Sequence, residues 1–383
     1  MRPNKIILII LIFGLVLPLL SCSQEKEYPE KYSLYDFFLD NAQLAAKIDS
    51  IYERMSDNER IAQMIVTAGG KLGKDNAVVE RLIENKQVGG VLLLKGQQEK
   101  MKELIQNFSD KAKEVGSLPL MFSCDAEPTL LNSKIKGTPL VPYTYRISDY
   151  DVAGAVAVQI ARIVKDLGFH MNFAPVCDFS INKNVMKNRS FGKDTETVGL
   201  LSEAFILGTQ KNNIVATAKH FPGHGTVKND SHKGIVFING EIPELEVFRR
   251  AVDVGVIAVM VGHIAVKNNE KFSTDGLPAT LSKRIVSDLL KDSLDFKGIV
   301  VTDAMNMGAV QQYENAELNA VIAGCDLILF PKNEALLIQN IKKRIEQFEP
   351  FRKKIEISVK KIIRLKICLG LLDDYFLEQQ QSP

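Results

Sequence analysis

The sequence predicts an α/β protein with the architecture of a (β/α)8 TIM-type barrel. From residue 60 onward, eight short apolar runs rich in β-branched residues alternate with eight longer amphipathic stretches. Runs that are apolar throughout, rather than at every second position, are typical of strands buried on both faces of a parallel sheet. Eight such units within about 290 residues favour a closed barrel, although a doubly wound open sheet can also contain eight strands.

The elements follow one another along the chain in the order strand, then helix. The predicted strands are residues 62–69, 88–94, 118–125, 169–178, 214–221, 256–264, 298–305 and 325–331. The predicted helices are residues 76–86, 98–113, 147–167, 195–212, 241–254, 282–293, 314–323 and 333–347. We also expect a leading helix at 34–58 and a basic amphipathic helix at 351–372. This last helix packs either on the outside of the barrel or on an anionic membrane surface.

The first 22 residues have the pattern of an export signal. Arg2 and Lys5 precede an apolar run from Ile6 to Leu20, which is short for a membrane span of about 20 residues. The residues LLSC (19–22) resemble a bacterial lipobox, which implies cleavage before Cys22 and lipidation of this residue. The alternative is an ordinary signal peptide with an incidental cysteine. With lipidation, the protein is exported and anchored to a bacterial membrane, on its periplasmic or cell-surface side, by a polar tether at 23–33.

Composition excludes some partners. The 48 basic and 46 acidic residues leave a net charge of +2, which gives no electrostatic case for binding nucleic acid. The four cysteines of the remaining chain lie in apolar settings without metal-binding spacing, so we expect buried thiols rather than disulfides. They are Cys124, Cys177, Cys325 and Cys368.

Polar residues interrupt five of the eight strands, each at or just beyond the carboxyl end. They are Asp125, Asp178, Lys219 with His220, His263, and Asp303. In a (β/α)8 barrel these ends form the face that carries the active site. The sequence therefore predicts one shared polar pocket there, without naming its reaction.

The loop KHFPGHGTVKNDSHKG (219–234) contains three of the five histidines in the chain. Zinc binding by His220, His224 and His232 is one interpretation, although Pro222 and Gly223 break the helix that such spacing usually needs. The other interpretation is proton transfer, since Asp230 can hold the His232 ring and raise its pKa. The third interpretation is a solvated turn without a chemical role. With Asp303 as an anionic nucleophile, the proton-transfer interpretation suits displacement at an acetal carbon.

Several motifs together resemble the bacterial β-N-acetylglucosaminidases of glycoside hydrolase family 3. They are KHFPGHG followed by DSH, NRSFGKD (188–194), PATLS (278–282), LDFKGIVVTDAMNMGAV (294–310) and AGCDLILFP (323–331). The resemblance covers residues 40 to 372 and implies a catalytic domain at 34–372, followed by a tail at 373–383. It implies a retaining mechanism with Asp303 as nucleophile and His232, oriented by Asp230, as acid and base. The implied sugar-binding residues are Asp125, Arg189, Lys219, His220, Asp178 and His263.

One segment departs from the family pattern. After the third strand the family usually reads Asp-x-Glu-Gly-Gly-Arg, whereas this chain reads DAEPTL (125–130). The loop must take another path, which affects the outer contacts and the sugar preference. Arg189 has an alternative role as the ion-pair partner of an aspartate at the strand ends.

The resemblance implies an exo-acting enzyme for terminal N-acetyl-β-glucosaminides of peptidoglycan or glycan fragments. The absence of tryptophan also favours a short pocket over a long glycan groove. We expect a monomer without cofactor or metal. The alternatives are a relative with another sugar preference, a phosphorylase, and a catalytically lapsed lipoprotein that binds glycans.

Overall fold

The computed structural model describes residues 31–182, 186, 188–227 and 234–373. Three residues singled out in the sequence lie outside this range: Cys22 of the export signal, and Asp230 and His232 of the histidine-rich loop. Their predicted roles therefore stay predictions.

Within the described residues, eight parallel strands form a nearly closed barrel. They are β1 (Ile65–Gly69), β2 (Gly90–Leu93), β3 (Met121–Cys124), β4 (Met171–Asn172), β5 (Val215–Phe221), β6 (Ala258–Val261), β7 (Ile299–Thr302) and β8 (Ile328–Leu329). Neighbours pair in chain order, and β8 lies beside β1. A bridge between Val301 and Leu327 joins β7 to β8. The predicted (β/α)8 barrel is confirmed, and each strand lies inside its predicted apolar run.

Helices surround the barrel: two precede β1, and the others lie between successive strands or after β8. They are α1 (Ala42–Arg54), α2 (Asp57–Gln63), α3 (Asn76–Glu84), α4 (Gln98–Glu114), α5 (Leu131–Lys134), α6 (Tyr150–Asp166), α7 (Thr195–Gln210), α8 (Leu245–Asp253), α9 (Gly308–Gln311), α10 (Ala316–Ala323), α11 (Glu334–Gln347) and α12 (Glu349–Cys368). The predicted helix at 282–293 is a π-helical segment, Arg284–Ser293. Short 3-10 turns occur at Leu34–Phe37, Thr144–Arg146 and Ala279–Leu281. Gly96–Gln97 pairs with Ile135–Lys136, and Val236–Asn239 pairs with Ile264–Lys267.

The prediction of a single leading helix at 34–58 is wrong. The segment contains a 3-10 turn and α1, and a new helix, α2, begins after Ser56. The Ser56 hydroxyl accepts from the backbone N–H of Glu59 at 3.3 Å, and the Glu59 carboxylate accepts from the backbone N–H of Ser56 at 3.0 Å. This reciprocal capping box satisfies backbone donors that would otherwise continue the first helix.

The basic helix α12 packs on the barrel, in agreement with the first of its two predicted positions. Its apolar face is buried through Phe351, Ile355, Val359 and Ile362, and it contacts α1 and α11. Buried Lys366 donates from Nζ to the carbonyls of Gly89 and Pro119, at 2.9 and 2.7 Å, just before β2 and β3. The helix thus covers the amino-terminal end of the barrel. Among the described residues no helix is both long and apolar enough to span a membrane.

The four cysteines of the barrel are buried free thiols, as predicted. Burial raises the pKa of Cys177 and Cys325 to about 12. These thiols therefore remain protonated at neutral pH and serve as apolar packing groups.

The carboxylate of Asp326 holds β7 and β8 together. Its side chain is fully buried. Its Oδ2 accepts from the backbone N–H of Val300 at 2.9 Å and from Lys361 Nζ at 2.8 Å. Its Oδ1 accepts from the Ser358 hydroxyl at 2.6 Å, and Lys291 Nζ lies 3.3 Å away. Burial opposes ionisation, but the two lysines outweigh it and hold the pKa of Asp326 well below its ordinary value. One side chain thus links β7, β8, the π-helical segment and α12.

Replacing Asp326 tests this link. Asp326→Ala leaves two lysine ammonium groups around an emptied buried site, so we expect the free energy of unfolding to fall by about 3 kcal/mol or more. Asp326→Asn keeps a carbonyl acceptor and should lose less. Denaturant unfolding followed by circular dichroism measures both changes. An alanine variant as stable as the wild type would contradict the proposed role of the carboxylate.

Candidate active site

The turn after β3 is fixed by the side chain of Asn172, the last residue of β4. Asn172 Oδ1 accepts from the backbone N–H of Ala126 at 2.9 Å, and Asn172 Nδ2 donates to the Ala126 carbonyl at 3.1 Å. The amide is fully buried and uses both of its polar atoms, which gives the turn one position on the barrel. The turn presents the carboxylates of Asp125 and Glu127 at the carboxyl end of the barrel.

Lys219, near the end of β5, joins these two carboxylates. Its Nζ lies 2.7 Å from Asp125 Oδ1 and 2.6 Å from Glu127 Oε1. Burial lowers the pKa of an ammonium group, but the two carboxylates outweigh burial and raise the pKa of Lys219 above its ordinary value. Because Lys219 is only 2% exposed, its charge holds the β3 turn against β5.

Arg189 extends this network on the other side of Glu127. Its Nε and Nη2 atoms donate to the two Glu127 oxygens at 2.8 and 2.7 Å, the bidentate arrangement that gives the strongest side-chain ion pairs. Burial opposes ionisation of Glu127, but Arg189 and Lys219 hold its pKa well below the ordinary value. The Arg189 side chain remains 19% exposed. Its partner is a glutamate, not the aspartate considered from the sequence.

β5 has a bulge between Lys219 and Phe221, at His220. A bulge interrupts the alternation of side chains along a strand, and here Lys219 and His220 both reach polar groups at the strand ends. The Lys219–His220 peptide bond is cis. His220 Nδ1 lies 2.7 Å from Asp178 Oδ2. Because a carboxylate only accepts hydrogen bonds, this ring nitrogen carries the proton and the ring has a fixed orientation.

Asp178 organises the start of the histidine-rich loop. Besides the His220 ring, it accepts from the backbone N–H groups of His220 at 3.2 Å and His224 at 2.8 Å. Burial raises the pKa of this carboxyl group, but His220 outweighs burial, and the pKa lies below its ordinary value. The side chain is 0% exposed. Asp178 therefore supports His220 from a buried position, and its predicted contact with a sugar stays a prediction.

Asp303 directly follows β7 and remains partly exposed at the end of the barrel. Its backbone N–H donates to the Val261 carbonyl at 2.9 Å, and its Oδ1 accepts from the backbone N–H of Ala304 at 2.8 Å. Burial raises the pKa of this carboxyl, but attraction from His220 and then His263 outweighs it and lowers the pKa below the ordinary value. The carboxyl group is therefore ionised at neutral pH.

His263, which follows β6, fixes the turn that carries Asp303. Its Nε2 donates to the Ala304 carbonyl at 3.0 Å, and its Nδ1 lies 2.8 Å from the Thr280 hydroxyl. The side chain is fully buried. Like Asp178, it supports a neighbouring site residue from a buried position, and its predicted contact with a sugar stays a prediction.

Glu244 is a site residue that sequence reasoning missed. It precedes α8 and is fully buried, and its Oε1 accepts from the backbone N–H of Gly225 at 3.0 Å. At Gly223, where φ is +137°, a Cβ atom would lie 2.6 Å from Glu244 Oε2, so only glycine fits beside this carboxyl. Burial, and then the negative charge of Asp178, raise the pKa of Glu244 to about 7. Glu244 thus fixes the first part of the histidine-rich loop.

The remaining part of that loop, with Asp230 and His232, lies outside the described residues. Among the residues that the structure describes, no group of three or more histidine, cysteine, aspartate or glutamate side chains has a metal-binding arrangement.

At the carboxyl end of the (β/α)8 barrel, the ionised Asp303 thus accompanies the fixed polar groups of Asp125, Arg189, Lys219 and His220, an arrangement that suits nucleophilic or acid–base chemistry on a polar substrate. Comparison with known proteins gives the family. The N-terminal domain of glycosyl hydrolase family 3 matches residues 57–365, and the chain therefore belongs to this family.

The similar proteins include a Vibrio cholerae β-hexosaminidase, 29% identical over 301 residues, which cover 74% of this chain and 89% of that protein. A Cellulomonas fimi β-N-acetylglucosaminidase/β-glucosidase is 32% identical over 231 residues, covering 56% of this chain but only 41% of the relative. Among solved structures, the family 3 β-N-acetylglucosaminidase of Paenibacillus sp. FPU-7 is similar, with a TM-score of 0.75 and 28% identity. That match covers 83% of this chain and 63% of the Paenibacillus chain.

The buried Glu244 predicts a pH-dependent stability. Its pKa is about 7 in the folded chain against an ordinary value of 4.5, so between these pH values the folded chain holds the extra proton. The free energy of unfolding therefore falls as the pH rises from 4.5 through 7, by about 3 kcal/mol. Glutamine keeps the acceptor for Gly225 and does not titrate. Glu244→Gln should thus be more stable than the wild type at pH 8, and this advantage should shrink toward pH 4.

Thermal unfolding of both proteins between pH 4 and 8 measures the difference. Glu241→Gln, at an exposed position of the same connection, is the matched control and should follow the wild type. Parallel pH profiles for wild type and Glu244→Gln would show that the pKa of Glu244 is the same in the folded and the unfolded chain, and would contradict the prediction.

Proposed function

We propose that the protein is an exo-acting, retaining β-N-acetylglucosaminidase that removes terminal N-acetyl-β-glucosaminides from peptidoglycan or other glycan fragments. The observation that carries this proposal is the partly exposed, ionised Asp303 at the end of β7, beside the fixed groups of β3 and β5. The similarity to a Vibrio cholerae β-hexosaminidase and a Paenibacillus β-N-acetylglucosaminidase supports the sugar preference.

In the first step, Asp303 attacks the anomeric carbon of the terminal sugar. A carboxylate oxygen forms a bond to this carbon as the bond to the leaving oxygen breaks, which gives a covalent glycosyl-enzyme. The lowered pKa of Asp303 supports the role, because the nucleophile must be unprotonated at neutral pH. The contacts from Ala304 and, through Ala304, from His263 keep the carboxylate in one orientation.

The leaving oxygen needs a proton, and water must lose one in the second step. We assign both transfers to His232, oriented by Asp230, on the sequence alone. A histidine that gives a proton in one step and takes it back in the next has a pKa suited to both near neutrality. The bonds that fix His224 and Gly225 to Asp178 and Glu244 support a loop with a rigid base on the barrel.

We assign the binding of the sugar hydroxyls to the exposed parts of Asp125, Arg189 and His220. Lys219 supports this group from a buried position. Asp125 is 21% exposed and His220 is 12% exposed, which leaves polar atoms of both facing the pocket. The internal ion pairs hold these groups in place before a substrate binds, and such preorganisation lowers the cost of binding.

We also propose that the chain is exported and anchored through a lipid on Cys22, and that residues 34–372 form the catalytic domain. The lipobox-like residues 19–22 support this location. Labelling with radioactive palmitate that persists in a Cys22→Ala variant would contradict it.

The activity is tested with purified protein that lacks residues 1–22. It should release 4-nitrophenol from the N-acetyl-β-glucosaminide and much less from the β-glucoside. Asp303→Ala should lower kcat/KM by about a thousandfold or more, because the covalent step is lost. Asp292→Ala, at an exposed position on the π-helical segment, is the control and should keep wild-type activity. Turnover that requires phosphate, or full activity of Asp303→Ala, would contradict the proposal.

The acid role of His232 has its own test. His232→Ala should lower kcat on an N-acetylglucosamine disaccharide by about a hundredfold or more, because this leaving group needs a proton. The loss on the 4-nitrophenyl glycoside should be much smaller, because 4-nitrophenolate leaves without protonation. Equal losses on the two substrates would remove His232 from the acid role.

A further inference from the structure

The segment PLVPYTYR (139–146) exposes more apolar surface than a solvated loop needs. Leu140 is 84% exposed, Tyr143 51% and Tyr145 45%. The rings of the two tyrosines, called here the tyrosine pair, are stacked with centroids 6.0 Å apart and planes inclined by 15°. An exposed apolar group of this kind on a soluble domain commonly marks a binding site.

The tyrosine pair is held in place before anything binds to it. The Arg146 guanidinium lies 5.9 Å from the Tyr143 ring centroid and 5.7 Å from that of Tyr145, and its Nε donates to the Tyr145 hydroxyl at 3.1 Å. Pro142 restricts the backbone immediately before Tyr143. A rigid aromatic surface loses little conformational entropy when a ligand covers it.

Buried Thr144, between the two tyrosines, ties the pair to the active-site network. Its backbone N–H donates to the Thr129 hydroxyl at 2.9 Å, and this hydroxyl donates to the Asn188 carbonyl at 2.7 Å. Thr129 lies two residues after Glu127, and Asn188 immediately precedes Arg189. The tyrosine pair is therefore anchored to both members of the Glu127–Arg189 ion pair.

The hydrogen bonds of Thr129 belong to the segment 125–130, in which the chain departs from the pattern of its family. Thr129 and Pro128 stand where the family usually has glycines, and Thr129 supplies the hydroxyl that binds both Thr144 and Asn188. A glycine at 129 would offer no side-chain hydrogen bond there. The departure thus ties the segment that carries the aromatic rings to residues next to Glu127 and Arg189 through side-chain hydrogen bonds.

We propose that the tyrosine pair is a second sugar subsite, which binds the pyranose ring next to the one cleaved in the pocket. The inference rests on the proposed function. The axial C–H groups of a β-linked pyranose form an apolar face that stacks on an aromatic ring, and the tyrosine hydroxyl gives a polar edge for the sugar hydroxyls. The subsite would favour glycans of two or more sugars over single glycosides, in a chain that contains no tryptophan.

The test compares two substrates that differ in the second sugar. N-Acetyl-β-glucosaminyl fluoride has only the sugar that occupies the pocket, whereas a β-1,4-linked N-acetylglucosamine disaccharide also reaches the subsite. Tyr143→Ala and Tyr145→Ala should lower kcat/KM on the disaccharide by about tenfold and leave the fluoride within about twofold. Tyr143→Phe keeps the ring and should retain most of the disaccharide activity.

Tyr35→Ala removes a tyrosine that is 69% exposed before α1 and should change neither substrate. The inference is overturned if the alanine variants lose activity equally on both substrates. It is also overturned if they keep full activity on both. It is likewise overturned if they instead lose binding to lipid vesicles. If the wild type cleaves neither substrate, the proposed function itself fails, which is a different outcome.

Discussion

The buried ammonium group of Lys219 is the constraint on which the rest of the site depends. Moving such a charge out of water costs several kcal/mol unless carboxylates replace the lost hydration. Asp125 and Glu127 do so at 2.7 and 2.6 Å, and Arg189 in turn satisfies the second oxygen of Glu127. Since the turn after β3 and the carboxyl end of β5 must meet for these pairs to form, folding itself assembles this part of the site.

A second, neighbouring network controls the loop that leaves β5. Asp178 accepts hydrogen bonds from the His220 ring and from two backbone N–H groups. Glu244 accepts a hydrogen bond from the backbone N–H of Gly225. The two acids differ because of their partners. Burial raises the pKa of both carboxyl groups. The attraction of His220 outweighs burial and keeps Asp178 ionised, whereas at Glu244 burial, and then the negative charge of Asp178, raise the pKa to about 7. One site thus contains an ionised carboxyl and a second carboxyl that is about half protonated near pH 7.

The barrel was predictable from the sequence because strands buried on both faces leave a clear apolar signal, and Asp125, Asp303 and Lys219 stand out at the ends of such runs. Glu127 and Glu244 were not identified, since they lie in a loop and at a helix start, where acids are common. The burial of Asp178 and His263 follows from contacts between distant loops, which spacing along the chain does not reveal. The break before α2 did have a local signal, the Ser56-x-x-Glu59 box.

The central claim is that a bond forms between Asp303 and the anomeric carbon. Incubation with a slowly turned-over fluorinated N-acetylglucosaminyl donor, followed by proteolysis and mass spectrometry of the peptides, measures it directly. The account predicts one sugar per chain, attached to Asp303. A sugar attached to another side chain, or inactivation without a covalent adduct, would contradict it.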